Sequence, residues 1–172
     1  MNQPLKPTKY DKFVTFIITL IAKDTGAAAA LKRADNANLE YQSWEYLARF
    51  VELDKDYLRL PYATIAAALA KAKVERNGNA CIGEAIAHCY ADGSNNEQAK
   101  AKLRRLLACD SVEEVCRVLR PLLSLIHAKA DIQLDYVALL KELIWFNEDN
   151  QRTKAYWARK FYRAALIEEA AL

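Results

Sequence analysis

Turn-forming residues are so scarce in this chain that helices are almost the only regular structure open to it. Gly and Pro occur four times each in 172 residues. Ala, Leu, Lys, Arg and Glu, the residues that lose least on entering a helix, fill the stretches between them. No paired strand-like runs joined by a tight turn occur, so the expected class is all-α. A chain of this length can bury a core without disulfides or metals. The expected architecture is a compact helical bundle of about eight or nine helices in a single domain, and the break near 92–96 is where two packed sub-bundles would meet.

Apolar periodicity and capping residues place the elements. A first helix is predicted from about Tyr10 to Lys23, and Asp24 caps an Ala-rich second one ending at Lys32 and Arg33. Asn36 and Asn38 interrupt the pattern. A further helix is predicted over about Ser43 to Leu53, with Trp44, Leu47 and Phe50 or Val51 as its apolar stripe. Pro61 suits the first turn of TIAAALAKAKV, and RNGN (76–79) stops that helix. A short helix, ACIGEAIAHCY, ends at Asp92-Gly93-Ser94-Asn95. The basic amphipathic NEQAKAKLRRLLACD follows, and Ser111 with Glu114 forms an S-x-x-E capping box for the next helix. Pro121 inside that helix predicts a kink, or a break near Arg120. Asp135 caps YVALLKELIWF, and a last helix follows NEDN (147–150).

Most of the chemistry-bearing residues read as structural. Cys81, Cys89, Cys109 and Cys116 recur at helical spacing with no CxxC or HxxxH beside them, so they are expected as small core residues in a reducing cytoplasm, with no metal site. FVTFIITLIA (13–22) follows three lysines in the manner of a signal peptide. It is too short to span a bilayer and continues into charged helical sequence, so a buried first helix, and no membrane partner, is expected. There is no glycine-rich phosphate loop, G-x-S-x-G or HExxH. His88 and His127 read as ordinary helix residues, Glu84 as a surface acid and Asp135 as a cap. The expected protein is not an enzyme and uses no cofactor.

The basic residues are more suggestive. The formal charge is only +3, so an anion has to be recognised by local clusters rather than by a global field. In the last helix, Trp157, Phe161, Ala164 and Ala165 fall on an apolar side, while Arg152, Tyr156, Arg159 and Arg163 form a ridge joined by Lys160. Lys100, Lys102, Arg104 and Arg105 share one helix. Lys71, Lys73 and Arg76 crowd the end of another, with Glu75 as the only acid among them, and Lys32 with Arg33 closes a third. Acids collect elsewhere, at Glu52, Asp54 and Asp56 and at Glu148 and Asp149. Separate cationic clusters on several helices suit a long polyanion whose phosphates recur along a strand, and Tyr156 or Tyr162 could stack on its bases. The alternative is a helical protein–protein adaptor whose basic faces meet acidic partners.

The ordered set DTGAAAALKRA (24–34), IGEAIAH (82–88), LRRLLACDS (103–111), LRPLLSLI (119–126), LDYVALLKELIWF (134–146) and YWARKFYR (156–163) resembles the small subunit of the type I-E CRISPR Cascade complex, the CasB family. The resemblance implies a non-catalytic, all-helical subunit of an RNA-guided antiviral complex, present in two copies. Its implied partners are the complex's backbone and large subunits, the crRNA-containing assembly and the displaced single DNA strand. Basic positions inside the matched motifs carry over as candidate nucleic-acid contacts: Lys32, Arg33, Arg104, Arg105, Arg159 and Arg163. Charge clustering adds Lys71, Lys73, Arg76 and Arg152. Glu84 stands where relatives can carry a basic residue, and the tail LIEEAAL is acidic and apolar and reads as packing or solvated surface.

Overall fold

The computed structural model describes residues 5–170, apart from the side chains of 165–169. The expectations for Ala165 and for the LIEEAAL tail fall on side chains outside that set. Among the described residues the fold is all-α: α1 (Lys9–Lys23), α2 (Thr25–Leu31), α3 (Trp44–Leu47), α4 (Asp56–Ala72), α5 (Ile82–Ala87), α6 (Glu97–Leu107), α7 (Val112–Lys129), α8 (Tyr136–Ile144) and α9 (Phe146–Ala170), with 3-10 turns at Glu40–Ser43 and Gly93–Asn95.

The predicted signal-like stretch is an ordinary core helix. Tyr10, Phe13, Val14 and Ile17 recur every three or four residues and are buried, as the helical period requires. Thr8 and Asp11 close a reciprocal cap that the sequence reading did not pick out, and the bonds from Thr8 hold the Asp11 carboxyl below its ordinary range. No described helix is long and apolar enough to cross a membrane.

Helix α4 forms the axis of the core. Residues Pro61 to Ala67 are all buried, and its alanines let α1, α7 and α8 pack closely around it. Pro61 is not in the first turn, because the helix starts at Asp56. Arg59 drives the earlier start: its guanidinium bonds Glu40 at 2.7 Å and Asp56 at 2.7 Å and donates to the Leu53 carbonyl. The predicted 43–53 helix is also corrected. It breaks into a 3-10 turn, the four-residue α3 and a further turn. Trp44 lies 36% exposed under the Arg59 guanidinium, outside the core, while Leu47 and Val51 are buried and Phe50 packs its ring against Phe13 and Phe16.

Helix α7 continues through Pro121 without the break near Arg120. Its buried stripe of Val112, Val115, Cys116, Leu119, Leu122, Leu123 and Ile126 holds both halves on the core, and Pro121 lies on the exposed side, where the missing amide costs least. Only half of the predicted capping box forms. Ser111 Oγ accepts from Glu114 N, but the Glu114 carboxylate takes the Asp110 amide instead of the Ser111 amide.

The RNGN stretch does more than end a helix. Gly78, Asn79 and Ala80 hydrogen-bond along residues 133–135, including one parallel bridge between Ala80 and Leu134. Asn77 Oδ1 accepts from Tyr136 N and so orders the start of α8. A Cβ on Gly78 would lie 2.1 Å from the Gln133 carbonyl oxygen, which is why glycine stands there. The NEDN interruption appears as non-helical backbone at Asp149 inside the Phe146–Ala170 span, and Asp149 Oδ1 then accepts from Arg152 N as a fresh cap. Gly83 lets α5 lie directly on α9, since a Cβ there would come within 2.0 Å of the Trp157 carbonyl oxygen. Trp157 and Phe161 are fully buried, as predicted from their spacing. Buried residues from α1 through α9 form one apolar cluster. It includes Cys89, Cys109 and Cys116, whereas Cys81 is partly covered at the start of α5.

Candidate nucleic-acid interface

Lys32, Arg33, Lys71, Lys73, Arg76, Arg104, Arg105, Arg152, Arg159 and Arg163 all have exposed side chains. Of these ten, only Lys71 and Arg104 have a carboxylate oxygen of the described residues within 4.0 Å, from Asp35 and Glu97 respectively. The Arg104 contact lies at that limit. Arg33 donates to the Gln42 side chain at 2.8 Å, which leaves its charge uncompensated.

Long-range contacts bring the four sequence clusters together in pairs. Lys71 Nζ reaches Asp35 Oδ2 at 2.5 Å, pinning the end of α4 to the turn that directly follows Lys32 and Arg33. Lys154 Nζ meets Asp110 Oδ1 at 3.1 Å, and Asn150 Nδ2 donates to the Asp110 carbonyl. Those bonds hold the start of the last helical segment beside the turn after Arg104 and Arg105. In both cases one acidic side chain fastens two basic segments and leaves most of their cations facing water.

Two concave surfaces take up part of this set. One lies between the end of α4 and the α7–α8 connection; Lys73, Arg76, His127, Asp131 and Gln133 are among its lining residues. Lys73 occupies the left-handed backbone region (φ 50°, ψ 48°) as it closes α4, a conformation that favours glycine. The other is a groove of about 1150 Å³ between α8 and α9, with Lys141, Trp145, Arg152, Tyr156 and Arg159 along it and Glu148 and Asp149 at one end. Tyr156 stands under the Arg159 and Lys160 cations, at 5.6 and 5.8 Å from its ring, so its face is occupied from within the molecule. Tyr162 is exposed, with its ring edge-on to Phe161. Lys32, Arg33, Lys71, Arg104, Arg105 and Arg163 line neither surface.

At the floor of the second groove is Glu142. Its Oε2 accepts from Trp157 Nε1 at 2.7 Å, and burial pushes its carboxyl up to about 7 despite that bond. The sequence reading missed Glu142, because one acid in an apolar helix looks like a solvated position until its neighbour is known. It also passed over Arg120, whose Nε is fully buried and donates to no group among the described residues. No group of three or more His, Cys, Asp or Glu placed to hold a metal occurs among the described residues. His88 lies 3.2 Å from Asp131.

A family model described as CRISPR-associated protein Cse2 matches residues 27–162. No curated protein sequence matches the chain. Among solved structures, it is similar to a chain of a CRISPR RNA-guided surveillance complex, with 20% identity, a TM-score of 0.76 and coverage of 94% of this chain and 97% of that one. It is similar also to CasB from M. ruber, with 24% identity, a TM-score of 0.74 and coverage of 96% and 99%. CasB from Thermus thermophilus gives 18% identity, a TM-score of 0.72 and coverage of 89% and 97%. At these identities the likeness is one of fold.

Proposed function

Since the chain belongs to the CRISPR-associated Cse2 family, we propose that it is a non-catalytic structural subunit of an RNA-guided surveillance complex and steadies the DNA strand displaced when guide and target pair. Exchanging DNA pairing for RNA–DNA pairing is nearly balanced in free energy, so modest backbone contacts to the freed strand can tip it. The observation that carries the reading is the state of the ten candidate cations: all are exposed, and most have no carboxylate partner among the described residues. A long polyanion can meet such groups without breaking internal ion pairs. The reading also assigns the chain protein neighbours in the complex and a second copy of itself. The exposed Tyr41, Trp44 and Tyr57, with acidic Glu45 and Asp54 close by in sequence, support a protein-facing surface.

Titration of a fluorescein-labelled single-stranded oligothymidylate at several salt concentrations tests this proposal. Affinity should fall linearly on a log–log plot, with a slope of about 0.7 per neutralised phosphate. Changing Arg104 and Arg105 together to Ala should weaken binding and lower that slope with little change in thermal stability, because both side chains are exposed beside the buried Leu103 and Leu106. Salt-insensitive or absent binding would leave the adaptor reading in its place.

A further inference from the structure

Between the turn at Asp35–Ala37, the second half of α4 and the middle of α7 lies a narrow chamber of about 160 Å³ lined by Asp35, Thr64, Lys71, Arg120, Ser124 and His127, among others. It adjoins a wider mouth of about 460 Å³ that shares Asp35, Lys71, Arg120 and Ser124. Arg120 is the feature that needs an explanation. Its Nε is buried without an acceptor among the described residues, and no carboxylate lies within ion-pairing distance of its guanidinium there. Buried donors are otherwise almost always satisfied, and Arg120 as a residue is half-buried, so its guanidinium still lines the chamber.

The surrounding groups do not supply the missing charge. Among the described residues Asp35 is the only carboxylate lining either space, and it is already bonded to Lys71 at 2.5 Å. Cys116 lies within reach of the Arg120 charge, but burial pushes its thiol up to about 12, so it stays neutral. Lys71 and Asp35 cancel, leaving one positive charge at the chamber beside the His127 ring, while the Ser124 hydroxyl donates to the Arg120 carbonyl and the Thr64 side chain bonds Cys116. That set suits a single negative charge spread over two oxygens, which a guanidinium fork can bind from its edge.

We infer that Arg120 is the inner anchor of a seat for one phosphodiester group of a single strand, in the cleft between α4 and α7. The inference rests on the nucleic-acid reading above and adds to it a cleft in which the half-buried Arg120 stands behind the exposed Lys71. The strand's backbone runs along the wider mouth, and one phosphate turns inward to Arg120 with Lys71 at its flank. A diester carries the one charge that the chamber can balance. A terminal phosphate, bearing close to two, would have to draw Lys71 away from Asp35.

The test uses the full chain and an oligothymidylate with a 5′-hydroxyl end. Arg120→Gln should weaken binding about tenfold, the loss expected for a charged hydrogen bond, and lower the salt slope by about 0.7. Arg120→Lys should recover part of the affinity, because the charge returns without the fork. In the wild-type chain the arginine Nε–Hε resonance that is absent from both Arg120→Gln and Arg120→Lys should shift when the strand is added, so the assignment stands on whichever variant keeps the fold. A 5′-phosphorylated strand should bind no better than the 5′-hydroxyl one. A wild-type chain that binds with a salt slope while Arg120→Gln matches it, and whose Nε–Hε signal does not move, overturns the seat and leaves the functional proposal standing. A signal that moves only with the 5′-phosphorylated strand or with inorganic phosphate overturns the diester in favour of a terminal phosphate. A wild-type chain without salt-dependent binding overturns both readings.

Discussion

Glu142 shows how one residue can set the pH range of a helix pair. Its carboxyl sits between α8 and α9, raised by burial from 4.5 to about 7. A carboxyl that is weaker in the native state than in the unfolded chain binds a proton on folding. Its effect is therefore nil below about pH 4, grows as pH climbs from 4.5 to 7, and remains as a constant destabilisation above that range. Glu142→Gln keeps an oxygen for Trp157 Nε1 and removes the ionisation. The variant should be more stable than wild type at pH 8, by on the order of 2 kcal/mol, with the gap closing near pH 4.5; urea melts across that range measure it. An unchanged gap at every pH would mean that packing alone separates the two proteins.

Among the helices, the tightest tolerance is between α5 and α9. Gly83 has only its hydrogen facing the Trp157 carbonyl oxygen, and the three heavy atoms nearest to an added Cβ are all backbone atoms of α9. Backbone cannot swing aside as a long side chain can. Gly83→Ala should cost about 2–3 kcal/mol through overpacking, even though alanine is the better helix former, and guanidinium melts followed by tryptophan fluorescence would show it. The glycine in IGEAIAH was legible as a motif, but its reason was not, because the atom it avoids lies 74 positions along the chain, from Gly83 to Trp157. The same limit applies to α3 and α4. Periodicity located Leu47 and Val51, since burial imposes the 3.6-residue repeat directly. It misplaced Trp44 and the start of α4, since both depend on Arg59 and its tie to Glu40, 19 residues away.

Taken as a molecule, the chain joins its ends through the core. Helix α9 packs on α5 and supplies Trp157 and Phe161 to an apolar cluster that begins at Tyr10. Residues 150–172 should therefore be indispensable: a chain ending at Asp149 is expected to lose its near-ultraviolet circular dichroism and its cooperative thermal transition, and retention of both would show that the first eight helices stand alone. At this scale the helical class and the basic segments were legible from composition and spacing, which are local properties. Pairing of the basic segments was not, because it depends on Lys71 meeting Asp35 and Lys154 meeting Asp110 across 36 and 44 residues. Arg120 was hidden for the same reason, as nothing within one helix reveals which donors the neighbouring helices leave unanswered.

The enclosure of three of the four cysteines has a practical side. Cys89, Cys109 and Cys116 are sealed in the interior, and burial holds every thiol in its unreactive protonated form, Cys81 included. Alkylating reagents should therefore count molecules that have come open: intact protein takes up label slowly at Cys81, and each additional modified sulfur in a mass spectrum records an excursion away from the native state.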